Sequence, residues 1–177
     1  MSLLSTRSEP STVTAKPLCF IQLMRGPRYD HKTLPTGHKM AHRSAGSNKA
    51  AAVRLYLENF QKHNLDVAEE LLSPSLVFHN ARGEIRGHDG WKAFVEGWLT
   101  GFPDMRLTID FSIADEDRVL LHWRAQGTHT GEFRGTAATG QRVSASGLTL
   151  FRFSSGKIEE IWDELAAFGE LQTLKIS

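Results

Sequence analysis

Three runs of β-branched and aromatic residues near the C-terminus constrain the fold of this chain more than any other feature. They cover residues 119–126, 143–153 and 158–165 and are separated by glycine-containing links. The link between the last two runs is the short turn SSGK at 154–157, so these runs are expected to pair as an antiparallel hairpin. The link between the first two carries four glycines and is expected to form a long, shaped excursion. The pattern predicts a strongly curved antiparallel sheet that could wrap around a pocket.

Helical spacing of apolar residues marks two stretches upstream of these strands. One follows Ser47, the expected N-cap, and the other spans residues 91–100. Helices that precede a run of meandering strands favour an α+β fold, with the helices packed on one face of the sheet. The other expected elements are a helix at 66–72, strands at 75–80 and 105–114, and a short closing helix at 168–174.

The composition is that of an ordinary globular protein, with 40% hydrophobic and 23% charged residues among 177. No apolar run approaches the ~18 residues that span a bilayer, so no membrane association is expected. Cys19 is the only cysteine, which excludes an intrachain disulfide and permits the reducing cytoplasm, the expected location. The histidines at 79, 88, 122 and 129 show no metal-ligand spacing, and no nucleotide-binding motif or basic aromatic-rich face is present. We therefore expect no metal, no cofactor and no nucleic-acid partner.

The first quarter of the chain differs in charge from the rest. Residues 1–47 carry seven Lys or Arg against two acidic residues, whereas the remainder is acidic. Residues 1–46 also lack helical or strand periodicity, so we expect a disordered N-terminal extension followed by a folded domain at 47–177. The extension could be a transit peptide, a basic arm for an acidic partner, or sequence upstream of a natural start at Met40.

Several short motifs in the domain carry a family resemblance. They are GTHTGEFRG at 127–135, ATG with the following valine at 138–143, and FR, GKI, Glu and Trp within 151–162. Upstream, FPDM at 102–105 and FH at 78–79 fit the same pattern. The region resembles the SnoaL-like polyketide cyclases, or ester cyclases, of the nuclear-transport-factor-2-like superfamily. The resemblance implies a cone-shaped, cystatin-like α+β barrel with an apolar cavity and a homodimer formed through the outer sheet face.

The resemblance also implies a chemistry and exposes one departure from it. The family closes rings by an intramolecular aldol step, in which a carboxylate removes a proton flanked by carbonyls and nearby donors hold the enolate oxygen. The family's usual acid/base aspartate, at the end of W-x-x-x-D, corresponds here to Ala166. Strand alternation from Ile158 and Trp162 places Glu164 on the inner face and Asp163 on the other. Either Glu164 takes over proton transfer, or Asp163 reaches in through a bulge, or the carboxylate is lost.

The candidate site residues follow from these considerations. The catalytic candidates are His79, Glu164 and Asp163, and the candidates for substrate contact are Asn80, Trp98, Trp123, His129 and Tyr56. The expected function is a cyclase or isomerase that acts by cofactor-free acid–base catalysis on a small, mostly apolar carbonyl compound.

Other functions stay open on the same fold. A non-catalytic ligand-binding or interaction domain would be consistent with Ala166. An epoxide hydrolase needs an Asp–Arg–Asp cluster, which inward-facing positions do not supply. An activity like that of ketosteroid isomerase needs a tyrosine donor deep in the pocket, and Tyr56 is the one tyrosine of the domain.

Overall fold

The computed structural model of the protein describes residues 44–168, which form three helices and six strands. The elements are α1 (Ala45–Gln61), α2 (Val67–Leu71), β1 (Leu72–Asn80), β2 (Gly83–Arg86), α3 (Gly87–Gly101), β3 (Arg106–Asp115), β4 (Arg118–Thr128), β5 (Arg142–Ser154) and β6 (Lys157–Phe168). Apart from 44–46 and 168, the expected extension at 1–46 and the expected closing helix at 168–174 lie outside the described residues. Within the described part, no helix has both the length and the apolar character needed to cross a membrane.

The six strands form one open, mixed sheet in the order β2-β1-β6-β5-β4-β3. The strands that are joined by tight turns pair antiparallel, as the sequence predicts, and β4 also pairs antiparallel with β5. The expectation of a wholly antiparallel sheet is wrong, because β1 and β6 pair in parallel. These two strands are far apart in the chain, so no hairpin turn dictates their relative direction.

The helices pack on one face of this sheet and bury the core there. Leu55 of α1 and Trp91 and Val95 of α3 are fully buried, and so are Leu121 and Phe151 on the facing strands. Burying the apolar stripes of α1 and α3 against one sheet face confirms the α+β class.

The N-cap of the first helix lies three residues before the expected one. Ser44 is the cap, and its hydroxyl accepts a hydrogen bond from the Ser47 amide over 3.3 Å. The Ser47 hydroxyl donates back to the Ser44 carbonyl over 2.9 Å, so Ser47 closes the first turn. The sequence pattern also did not predict β2, a short strand of four residues.

The excursion between β4 and β5 is anchored on the C-terminal end of α3. The amides of Thr130 and Gly131 both donate to the Gly101 carbonyl, over 3.1 and 3.3 Å. A Cβ on Gly131 would lie 2.0 Å from the carbonyl oxygen of Thr100. Only glycine permits this approach, which satisfies a helix-terminal carbonyl and fixes the excursion beside α3.

Two bulges interrupt β6. Its pairing with β5 skips Glu159 and, nearer the end of the strand, Ala166. Each is an extra residue in β6, and an extra residue shifts the alternation of the side chains between the two faces. Ile158 and Ile161 are three residues apart and yet both are fully buried on the helix side.

The first bulge reverses the expected orientation of the catalytic candidates. Asp163 lies on the inner face of the sheet and lines the cavity there, while Glu164 is exposed. The placement of Trp162 and Glu164 on the inner face by plain alternation from Ile158 is therefore wrong. The alternative in which Asp163 reaches in through a bulge agrees with the structure.

Candidate functional site

A small apolar cavity lies between the helices and the inner face of the sheet. Its volume is about 40 Å³, which leaves room for little more than a few water molecules. It is lined by Tyr56, Phe60, Phe94, Trp98, Met105, Leu107, Trp123, Ala125, Ala145 and Asp163. Asp163 is the single ionised group in that lining at neutral pH, so any proton chemistry in the cavity depends on it.

A network of hydroxyl groups holds the Asp163 carboxylate. The Thr149 hydroxyl donates to Asp163 Oδ1 over 2.5 Å, and the Tyr56 hydroxyl donates to the same oxygen over 3.4 Å. Trp123 Nε1 donates to Thr149 Oγ1 over 2.9 Å, and the hydroxyl oxygens of Tyr56 and Thr149 lie 2.8 Å apart. Because Thr149 has one proton and gives it to the carboxylate, it acts as acceptor towards both aromatic side chains. The single proton of Tyr56 is therefore shared between Thr149 and, at the longer distance, Asp163. The network thus orients Asp163 from three separate elements, α1, β4 and β5.

Burial sets the acidity of the Asp163 carboxyl group and the Tyr56 hydroxyl group. It raises the pKa of Asp163 from 3.8 to about 6, because desolvation disfavours the charged carboxylate. Hydrogen bonds from Thr149 and Tyr56 oppose the rise, and the neighbouring charge of Glu164 adds to it. Burial and the adjacent Asp163 charge also raise the pKa of Tyr56 well above 10.0, so its hydroxyl stays a proton donor. A carboxylate that titrates near neutrality can both accept and return a proton.

Gly147 gives Trp123 its position in the site. The two residues are cross-strand partners on β5 and β4. A Cβ on Gly147 would lie 2.6 Å from Cζ2 of the indole and 2.8 Å from the carbonyl oxygen of Glu164. The indole therefore lies across the glycine, from where its N–H reaches the Thr149 hydroxyl.

A larger open groove lies next to the cavity. Its volume is about 360 Å³, in the range of small-molecule sites. It is lined by Asn80, Arg82, Gly83, Glu84, Ile85, Ala93, Phe94, Gly97, Trp98, Thr100, Glu132, Phe133 and Arg134. Phe94 and Trp98 line both spaces, so their rings separate the groove from the cavity.

The structure brings together four of the candidate residues at the cavity and places a fifth in the groove. Tyr56, Trp98, Trp123 and Asp163 all line the cavity. Asn80 lines the groove, where its Oδ1 accepts a hydrogen bond from the Arg82 amide over 2.8 Å.

His79 lies on the opposite side of the sheet from the cavity. Its ring stacks on Trp162 at 5.2 Å, and its nitrogens lie 3.5 Å from Glu84 and 3.8 Å from Glu160. Asn80 follows it in the strand and so points to the other face of the sheet. Glu164 is likewise exposed and outside the cavity, because of the bulge in β6.

His129 is buried at the base of the excursion and lines neither the cavity nor the groove. Its Nδ1 lies 3.0 Å from the Thr139 hydroxyl, and its ring stacks on Phe102 at 5.2 Å. Its carbonyl accepts hydrogen bonds from the amides of Thr139 and Gly140. These contacts tie the two ends of the excursion together, and substrate contact by His129 stays a prediction.

Thr149 is the site residue that the sequence did not indicate. It is fully buried, a hydroxyl between Leu148 and Leu150 in the middle of β5. Thr149 lies an even number of residues from Phe151 and Phe153, so the three side chains are on the same face of the strand. This alternation could have predicted a polar group among the core side chains. Its function depends on contacts with α1 and β6, which the strand pattern does not contain.

Comparisons with known proteins agree with the α+β fold described above. The sequence profile of the SnoaL-like polyketide cyclase family matches residues 50–172. The chain belongs to this family, which lies in the nuclear-transport-factor-2-like superfamily. No protein with a curated description matches the chain.

Solved structures agree with the family assignment. The chain is similar to AclR of Streptomyces galilaeus, a proposed hydroxylase, with 33% identity, a TM-score of 0.66 and coverage of 74% of this chain and 82% of that one. It is similar to IdmH of Streptomyces antibioticus, a proposed polyketide cyclase, with 27% identity, a TM-score of 0.58 and coverage of 72% and 95%. A SnoaL-like protein of Jannaschia sp. CCS1 has the same fold, with 24% identity, a TM-score of 0.65 and coverage of 74% and 91%.

Proposed function

We propose that this protein is a cyclase or isomerase that uses Asp163 as its acid/base on a small, mostly apolar carbonyl compound. The observation that carries the proposal is the Asp163 carboxylate in an apolar cavity, hydrogen-bonded to Thr149 and Tyr56, with a pKa of about 6. Membership of the SnoaL-like polyketide cyclase family supports the same reaction class. Chemistry of this kind needs a base with a pKa near the working pH and a donor that stays protonated.

The residues of the cavity fit the two halves of an aldol ring closure. Ionised Asp163 removes a proton from a carbon next to a carbonyl group, and the C–H electron pair becomes the enolate. The protonated hydroxyl of Tyr56, whose pKa is raised, turns from Thr149 and Asp163 to donate its one hydrogen bond to the enolate oxygen. The enolate carbon then attacks a second carbonyl of the same molecule, forming the C–C bond. Asp163 returns its proton to the resulting alkoxide, so the step is an isomerisation without any co-reactant.

The size of the two spaces indicates how a substrate would sit. A cavity of about 40 Å³ holds no more than a reacting end, whereas the groove of about 360 Å³ holds the rest of a small molecule. We infer that the substrate lies in the groove and that its carbonyl end passes between Phe94 and Trp98 towards Asp163. These two rings would have to turn for the substrate to enter.

The test is turnover of linear and partly cyclised poly-β-ketone methyl esters, followed by chromatography and mass spectrometry. Asp163→Asn should slow formation of the cyclised product by about a hundredfold or more, because it removes the base. Glu164→Gln is the matched control, since it neutralises the adjacent carboxylate on the outer face, and it should leave the rate within about twofold. Full turnover by Asp163→Asn would contradict the assignment. Binding of these esters without any conversion would favour the ligand-binding alternative.

We further propose that the protein is a homodimer formed through the outer face of β3, β4 and β5. Phe111, Ile113 and Leu148 expose 49%, 59% and 38% of their surface there. Phe111 lies opposite His122, and His122 lies opposite Leu148, so the side chains form a continuous row across three strands. An apolar row of this kind favours a second copy of the same face as its partner.

The cytoplasm is the proposed location. A chain with the single cysteine Cys19 needs no oxidising compartment for an intrachain disulfide. Cell fractionation tests this, and recovery of the protein from a secreted or membrane fraction would contradict it.

A further inference from the structure

The groove contains a cation that has no carboxylate partner among the residues that the structure describes. The guanidinium of Arg134 lies over the rings of Trp98 and Phe133, at 5.1 and 4.6 Å from their centroids. The side chain is half-buried at the groove wall. Among residues 44–168 no acid group acts on it: burial and the charge of Arg82 both lower the pKa of Arg134. A half-buried charge without a partner is a costly arrangement, so its retention calls for an explanation.

The backbone holds Arg134 in this position by an unusual turn. Phe133 and Thr136 exchange two backbone hydrogen bonds, of 2.9 and 3.0 Å. Between them, Arg134 has φ 54° and Gly135 has φ 80°, the geometry of a type I′ turn. The first central position of that turn favours Asn, Asp or Gly, and an arginine there is strained. Strained residues of this kind are often found at binding sites.

The other charges of the groove lie further out. Arg82, Glu84 and Glu132 are all exposed, so water screens them more than it screens Arg134. Glu84 is also engaged by Arg86, whose Nη2 lies 2.7 Å from its carboxylate. The local field at the ring-lined wall is therefore positive, although the groove carries equal numbers of arginines and glutamates.

We propose that the groove binds a flat, conjugated molecule with a carboxylate or similar anionic group, which pairs with Arg134. The aromatic part would lie against Phe94 and Trp98, and the anion would complete the partnership that Arg134 lacks. The inference rests on the proposed function in one respect: it makes the groove the outer half of the substrate site. The substrate class is then an acidic aromatic or polyenone compound, with its anionic end held away from Asp163.

The test uses 2-naphthoate as an anionic probe and 2-naphthamide as its neutral counterpart, titrated by calorimetry against the full chain. We expect 2-naphthoate to bind more tightly than 2-naphthamide. Arg134→Gln should weaken 2-naphthoate by about tenfold to a hundredfold, because it removes a charge-assisted hydrogen bond. The same change should leave 2-naphthamide unaffected. Arg134→Lys keeps the charge without the planar fork and should give an intermediate affinity.

Two further variants separate this inference from its alternatives. Arg118→Gln removes an exposed arginine that is not in the groove and should leave 2-naphthoate binding unchanged. Asp163→Asn should also leave it unchanged, even though the same variant is expected to slow turnover by about a hundredfold or more. The proposal is wrong if wild type does not bind 2-naphthoate, if Arg134→Gln binds it as wild type does, or if Arg118→Gln weakens it equally. Any of these results would leave the proposed role of Asp163 unchanged. As a control, thermal unfolding of each variant shows that it is folded.

Discussion

The burial of Asp163 lowers the stability of the fold and serves its proposed acid/base function. A carboxylate with a pKa of about 6 instead of 3.8 disfavours the folded state whenever it is ionised. The difference corresponds to about 3 kcal/mol at neutral pH, a sizeable fraction of the stability of a small domain. The hydrogen bonds from Thr149 and Tyr56 keep this cost from being larger. The protein thus tolerates a buried carboxylate because its neighbours hydrogen-bond to it.

The cost has a definite pH signature. Between pH 4 and 6 the folded state holds a proton on Asp163 that the unfolded state has lost, so the stability of wild type should fall as pH rises through this window. The asparagine of Asp163→Asn cannot ionise, so this variant lacks the fall in stability with rising pH. The stability of the variant relative to wild type should therefore increase by about 2 to 3 kcal/mol between pH 4 and 7.5, measured by urea unfolding. Glu164→Gln, on the exposed face, should show no such trend, and parallel curves for Asp163→Asn and wild type would contradict the buried-base account.

At the scale of elements, single residues in the strands and the excursion determine where the functional groups face. The extra residue Glu159 in β6 turns Asp163 inward. Gly147 in β5 leaves the space that the Trp123 indole occupies. Gly131 lets the excursion dock on α3, which positions the groove wall that carries Arg134. Each of these residues controls the position of a residue of the proposed site.

The docking of the excursion can be tested with a pair of glycine variants. Gly131→Ala places a methyl group 2.0 Å from the carbonyl oxygen of Thr100, so the excursion must move, at a cost of about 1–3 kcal/mol. Gly97→Ala makes the same chemical change within α3, where a Cβ meets nothing within 4 Å. Because alanine is the better helix former, Gly97→Ala should stabilise the protein by about 0.5–1 kcal/mol. Equal effects of the two changes in chemical unfolding would show that the excursion is not anchored at this contact.

At the scale of the whole molecule, the sheet separates two different surfaces. Its inner face carries the apolar cavity and Asp163, and its outer face carries the exposed row of Phe111, Ile113 and Leu148. A dimer through the outer face would cover the apolar row without closing the groove, which lies by α3 and the excursion. Association and substrate binding would then be independent of each other.

The proposed dimer through the outer face of the sheet predicts the mass of the protein in solution. Wild type should have about twice the chain mass of 19.8 kDa in light scattering after size-exclusion chromatography. Ile113→Lys places a charge among the exposed apolar side chains of this face and should give the monomer mass. Ala137→Lys adds the same charge at an exposed position in the excursion and should stay dimeric. A monomeric wild type, or a dimeric Ile113→Lys, would exclude this interface.

Much of the fold could be predicted from local pattern alone. The strand runs, the SSGK turn and the apolar helical stripes correspond to β4, β5, β6, α1 and α3, with ends shifted by a few residues. These features depend on neighbours in sequence, which a single chain displays directly. The parallel pairing of β1 with β6 and the short strand β2 were missed, because they depend on contacts between distant segments.

The candidate site also combines features that local sequence predicts with features that depend on the tertiary structure. The sequence by itself determined the family, the α+β class and the aromatic walls Tyr56, Trp98 and Trp123, since residue type and spacing are enough for those. Only the tertiary structure decided that Asp163 rather than Glu164 faces the cavity, that Thr149 holds it, and that His79 lies outside. The physical reason is that side-chain direction in a strand has a period of two, so one extra residue reverses every orientation after it. A bulge is specified by the partner strand, and the partner strand is known only once the chain is folded.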